Sequence, residues 1–214
     1  MALQLKGFEV NLFGEITYVV WDDVTREAAV VDAGMSNDAE CKVIDDYISS
    51  NELIVKYLLN THIHLDHVFG VEHMVRRYGV ELSASMADEP LAVRVKQQAV
   101  MFHLLFTPSD VEIVHPLEGG DKLTLGDVEL CVIDVPGHTP GGLAFYCPDG
   151  HMVLTGDSLF QGSIGRTDLP GGDYAQLIKS VTDNLLILPP ETDVYPGHGP
   201  ATTIGRERTY NPYL

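Results

Sequence analysis

Six consecutive residues, His62-Ile63-His64-Leu65-Asp66-His67, bring three imidazoles and a carboxylate into one short stretch. Neutral imidazole and carboxylate together suit zinc, iron or manganese. His62 and His64 stand two apart at the end of an apolar run, so on a strand they share a face. Asp66 and His67 turn back toward them where a helix begins. The stretch is therefore a metal site that still needs donors, since a divalent ion takes at least four. A polar surface turn is the alternative reading. Three further donors follow apolar runs in the same way. His138 lies in Pro136-Gly137-His138-Thr139-Pro140-Gly141-Gly142, Asp157 ends Leu154-Thr155-Gly156-Asp157, and His198 lies in Tyr195-Pro196-Gly197-His198-Gly199. Donors at strand ends, each next to a glycine-containing loop, can be gathered by one edge of a sheet assembly.

The elements that must position them read as a layered α/β chain. Phe8 to Asn11, Ile16 to Asp22 and Glu27 to Asp32 have strand character, and the last stops at an Asp-Ala-Gly turn. A helix is predicted from Asp38 to Ser50, with Cys41, Ile44, Tyr47 and Ile48 on one face. Ile54 to Asn60 is a strand leading into the histidine stretch. Val68 to Tyr78 reads as helix, Val80 to Ser83 as a short strand, and Asp88 to Phe106 as an apolar helical segment closing over something. The second half repeats the logic with Lys122 to Leu125, Val128 to Val135, Gly142 to Cys147, a Pro-Asp-Gly turn, and His151 to Thr155. A helix from Tyr174 to Leu186 and a strand at Asp193 to Tyr195 lead to His198. With no linker or repeat, one domain of two similar halves across residues 1–214 fits best.

Composition narrows the function. The chain has 214 residues, 45% hydrophobic, enough for a sizeable core. With 31 Asp+Glu against 13 Lys+Arg the net charge is -18, which argues against nucleic acid and anionic membranes as partners. There is no run of the roughly 18 apolar residues needed to span a membrane, and no secretory pattern at the start. A cytoplasmic location and a monomer or small homo-oligomer are expected. The three cysteines, Cys41, Cys131 and Cys147, have no close pair and read as buried reduced thiols. Among the other histidines, His73 and His103 are expected nearest the pocket mouth, while Leu104-Leu105-Phe106 reads as core.

The ordered set of motifs resembles the metallo-β-lactamase fold superfamily. Within it, the set is similar to the glyoxalase II (hydroxyacylglutathione hydrolase) group and its short, single-domain relatives. The resemblance runs through the Asp32 turn, the His-X-His-X-Asp-His stretch, the His138 loop, Asp157, the Gly165-Arg166-Thr167-Asp168 loop and His198. It implies a four-layer αββα sandwich of two mixed β-sheets flanked by helices, with two divalent metal ions at one edge: zinc first, with iron or manganese as alternatives. On that resemblance His62, His64 and His138 hold one ion, Asp66, His67 and His198 hold the other, and Asp157 bridges them. Asp66 and Asp157 are its catalytic carboxylates. Asp32 is the candidate to accept from the free nitrogen of a ligating imidazole, or else a turn-capping residue. Arg166 is the candidate substrate-binding cation, or else a structural loop arginine.

The implied reaction is hydrolysis of a small thioester, of the S-lactoylglutathione type, by a metal-bridging hydroxide. A thiol leaves with a pKa of roughly 8.5 and needs little protonation, unlike the amine of a lactam. The helical domain that full-length glyoxalase II enzymes carry after the last ligand is expected to be missing, which leaves glutathione specificity open. A bridging aspartate argues against antibiotic hydrolysis, and the charge argues against RNA processing. The competing class is a mononuclear-iron persulfide dioxygenase of the same fold, which uses residues matching His62, His138 and Asp157 and also carries a Gly-Arg-Thr-Asp loop.

Overall fold

A computed structural model describes residues 3–214. The first half of the chain forms β1 (Leu3–Val10), β2 (Glu15–Asp22), β3 (Glu27–Val31), α1 (Asp38–Ser50), β4 (Ile54–Leu59), α2 (Val71–Tyr78), β5 (Leu82–Ala84), α3 (Glu89–Ala92), α4 (Val95–Met101) and β6 (His115–Pro116). The second half forms β7 (Lys122–Leu125), β8 (Val128–Asp134), β9 (Leu143–Cys147), β10 (Met152–Gly156), the hairpin β11 (Leu159–Phe160) and β12 (Ser163–Ile164), α5 (Tyr174–Ser180), β13 (Asp193–Pro196), β14 (Thr202–Thr203) and α6 (Ile204–Tyr210).

The strands make two six-stranded mixed sheets, one in the order β1-β2-β3-β4-β5-β6 and the other β14-β13-β10-β9-β8-β7. Strand alternation explains how they stack. In β2, Tyr18 and Val20 point toward the second sheet while Val19 and Trp21 join the core under the helices; in β3, Ala29 and Val31 do the former, Ala28 and Val30 the latter. In the second sheet Leu143, Phe145 and Leu154 face the first, whereas Ala144 and Val153 pack with Leu177 and Val181 of the α5 region. Both faces of the central strands are buried, so they read as continuous apolar runs rather than alternating ones. The result is the αββα sandwich anticipated from the sequence.

Helix α1 starts where Asn37 accepts from the Ala39 and Glu40 N–H groups. It buries Cys41, Ile44 and Ile48. Helix α2 stops at Gly79, whose φ of 67° is a left-handed cap. Some predicted elements change form. The 88–106 segment is two short helices broken at Val93 and Arg94, and the 174–186 helix passes after Ser180 into a π-helical turn, Val181–Leu185. Leu105 is fully exposed rather than core, while Leu104 packs partly against the core. Phe106 stacks edge-on against Phe69. No described helix is long and apolar enough to cross a membrane.

Candidate metal centre

Five connections leave the strands at one edge of the sandwich. The segment 60–67 follows β4, Asp32 follows β3, the His138 loop follows β8, Asp157 follows β10, and His198 follows β13. Their donors converge into two overlapping triads. Ligand atoms of His62, His64 and His138 lie within 4.8 Å of one another, and so do those of Asp66, His67 and His198. Asp157 stands between the triads: Oδ1 is 3.5 Å from His67 Nε2, while Oδ2 is 3.5 Å from His138 Nε2 and 3.6 Å from His198 Nε2.

In three of these rings the other nitrogen lies near an oxygen, hydrogen-bonded in His62 and His138 and in close approach in His67. His62 Nδ1 is 3.1 Å from Thr61 Oγ1, His138 Nδ1 donates to the Arg166 carbonyl at 2.7 Å, and His67 Nδ1 is 3.2 Å from Asp32 Oδ2. Asp32 also accepts from the Thr61 N–H and hydroxyl, each at 2.7 Å. It holds a left-handed φ of 56°, unusual outside glycine, so its backbone is bent to present its carboxylate under β4 and His67.

The electrostatics match two cation sites. Burial first, then His67 and His138, hold His62 well below the usual imidazole range. Burial with His138 alongside brings His64 down to about 3. Both are therefore neutral and ready to ligate. His67 goes the other way: burial opposes protonation, but Asp157, Asp66 and Asp32 lift it well above the ordinary value. Burial would raise Asp157, yet His67 holds its carboxyl well below the carboxylate range. His62 Nε2, His67 Nε2 and Asp157 Oδ1 are buried without a hydrogen-bond partner among the described residues. Buried polar atoms are rarely left so, and ligation of divalent cations accounts for all three. The residues present fit two such ions.

Three residues that shape this centre have no signal in the sequence. Asp88, fully buried, accepts from Ile63 N at 3.0 Å, Thr139 Oγ1 at 2.8 Å and Gly141 N at 2.7 Å. One carboxylate thereby ties the backbone between His62 and His64 to the turn that follows His138. Gln98 accepts from Leu65 N at 3.0 Å and donates to the Ile63 carbonyl at 3.3 Å, bracing the same stretch from α4. Glu15 is fully buried next to Asp32 and His67, with burial pushing its carboxyl well up. Each lies far in sequence from the histidines it braces, so no spacing reveals it.

A cavity of about 190 Å³ opens over the donors, with Phe13, Phe102 and Leu169 as apolar walls and Arg166 at its side. The Arg166 guanidinium is gripped by Asp168 through two contacts of 2.7 Å. His73 and His103 do not line this cavity. His73 instead pairs with Asp45 of α1 at 3.1 Å, and His103 sits exposed just after α4.

The profile of the metallo-beta-lactamase superfamily matches residues 12–198. The hydroxyacylglutathione hydrolase GloC of Haemophilus influenzae is 36% identical over 213 residues, covering 99% of this chain and 98% of its own. Among solved structures, TTHA1623 in a di-iron-bound form is 36% identical with a TM-score of 0.86, covering 98% of this chain and all of its own. The BLEG-1 B3 metallo-beta-lactamase is 30% identical with a TM-score of 0.88, covering 99% of each chain. This chain belongs to the metallo-beta-lactamase superfamily.

Proposed function

We propose that this member of the metallo-beta-lactamase superfamily is a dinuclear metal-dependent hydrolase of small thioesters, with S-lactoylglutathione-type hydroxyacyl thioesters as the leading substrates. The observation that carries the reading is the pair of triads joined by Asp157. Two divalent ions bound there would supply hydroxide near neutral pH and polarise the substrate carbonyl. Zinc suits the donors, and the di-iron form of the 36% identical TTHA1623 supports iron equally.

The chain's own residues supply the rest. Asp66 and Asp157 provide the negative charge of the centre, and Asp32 fixes the orientation of His67. Phe13, Phe102 and Leu169 restrict water around the reacting carbonyl. Arg166, held in place by Asp168, presents positive charge to an anionic group on the substrate. The similarity to GloC supports the hydroxyacyl thioester, and the charge of -18 supports a small molecule over nucleic acid.

The test follows loss of the thioester absorbance of S-lactoylglutathione by metal-loaded protein, with a chromogenic cephalosporin as control because one relative is a metallo-beta-lactamase. Thioester loss at enzymatic rates, with negligible cephalosporin opening, is expected. A second reading rests on one feature: His62, His138 and Asp157 by themselves make a two-histidine, one-carboxylate set. No thioester cleavage, one iron per chain, and oxygen uptake with glutathione persulfide would establish that dioxygenase reading in its place.

A further inference from the structure

Beside the metal cavity lies a second cavity of about 270 Å³, between α3, α4 and the turns at Pro140 and Pro170. Its walls are mainly apolar, formed by Pro90, Leu91, Met101, Pro140 and Pro170. The two cavities share construction. Met101 is followed in sequence by Phe102, and Pro170 is preceded by Leu169, and both of those neighbours wall the metal cavity. Gln98 belongs to the second cavity and at the same time hydrogen-bonds the backbone of Ile63 and Leu65, between the metal ligands.

Arg94 stands in the break between α3 and α4 and lines this cavity. In a chain with 31 acids its side chain has no ion pair or hydrogen bond among the described residues. Arg166 in the first cavity, by contrast, is paired with Asp168 through Nε and Nη2. A solvent-exposed cation free of carboxylates at the rim of an apolar hollow is complementary to a ligand that is apolar along its length and anionic at its end.

We propose that this second cavity receives the non-reacting arm of the substrate, an aliphatic chain ending in an anion that pairs with Arg94 while the thioester lies at the metal centre. This rests on the hydrolytic reading above and extends it: thioesters whose non-reacting arm is aliphatic and ends in an anion are also substrates, with Arg94 as the partner of that anion.

Straight-chain α,ω-dicarboxylates and monocarboxylates of matched length, titrated calorimetrically into metal-loaded protein, test it without turnover. One carboxylate occupies the metal centre and the second reaches Arg94. Beyond a threshold length dicarboxylates are expected to bind at least tenfold more tightly than monocarboxylates. Affinity in both series should rise by up to about fourfold per methylene until the cavity is full. In Arg94→Gln, checked for metal content and melting temperature, the dicarboxylate advantage should shrink to twofold or less. Flat length dependence, or an undiminished advantage in Arg94→Gln, overturns the proposal. Two thioester series then locate the arm: whichever series, ω-carboxyacyl or ω-carboxythiol, loses kcat/KM in Arg94→Gln carries it. If the dicarboxylate pattern holds but no thioester is cleaved, the cavity stands and the hydrolytic reading fails.

Discussion

At the residue scale the centre depends on which protons each donor carries. His62 and His64 are neutral near pH 7, whereas His67 and His198 are lifted by facing carboxylates. In the metal-free protein, protonated His67 stabilises the fold below the ordinary histidine pKa, and that contribution is lost as pH rises through its raised folded value. A metal ion takes the place of that proton. Metal binding at pH 7 is therefore expected to release protons, chiefly from His67 and His198, giving calorimetric heats that change with buffer ionisation enthalpy. Heats independent of buffer would contradict the assignment. If Asp157 bridges two ions as proposed, replacing it by Ala should lower both metal content and thioester turnover by 100-fold or more, and a variant with full turnover would remove Asp157 from the centre. Among the thiols, Cys41 is pushed up to about 11 by burial and by Asp45, and Cys131 and Cys147 also move upward. Thiolate is the reactive form, so iodoacetamide at pH 8 should label the native protein far more slowly than the unfolded chain, as read by mass spectrometry.

At the element scale, the site is a set of strand ends clamped by a segment from elsewhere in the chain. The 86–101 region reaches over the ligand loops and holds them through Asp88 and Gln98. Asp88→Ala leaves the Ile63 and Gly141 N–H groups and the Thr139 hydroxyl without their acceptor, at about 1–3 kcal/mol for each that stays buried and unpaired. Metal affinity should fall 10- to 100-fold, with a lower melting temperature, and unchanged affinity would show that the clamp is passive. Gly197 is a second sensitive point, because a Cβ there would overlap Asp157 Oδ1 and crowd His67. The residues that the two triads bring together were legible in sequence because each follows an apolar run and sits by a glycine-containing loop. Asp88, Gln98 and Glu15 were not, since the loops and the histidine they brace lie 25 to 53 residues away and only the folded topology brings them together. The same reason explains the displaced histidine: His73 faces α1, a pairing that depends on how α1 and α2 pack.

At the scale of the whole molecule, three apolar layers hold the edge in register while the surface carries -18. The alternation along β2, β3, β9 and β10 was readable as strands, but the sheet order was not, because neighbours such as β10 and β13 pair across about 40 residues. The surface charge has a kinetic consequence. An anionic thioester approaches against the protein's long-range field, so raising ionic strength from about 10 to 200 mM should increase kcat/KM several-fold by screening. A fall instead would show that Arg94, Arg166 and the metals dominate the approach.

The central claim is that two triads bridged by Asp157 hold two ions, and elemental analysis of metal per chain tests it most directly, on protein purified without added metal and again after reconstitution. The account predicts two ions per chain in the reconstituted protein, falling to one in His198→Ala, which dismantles only the Asp66, His67 and His198 triad. A single ion per chain that His198→Ala leaves in place would contradict it.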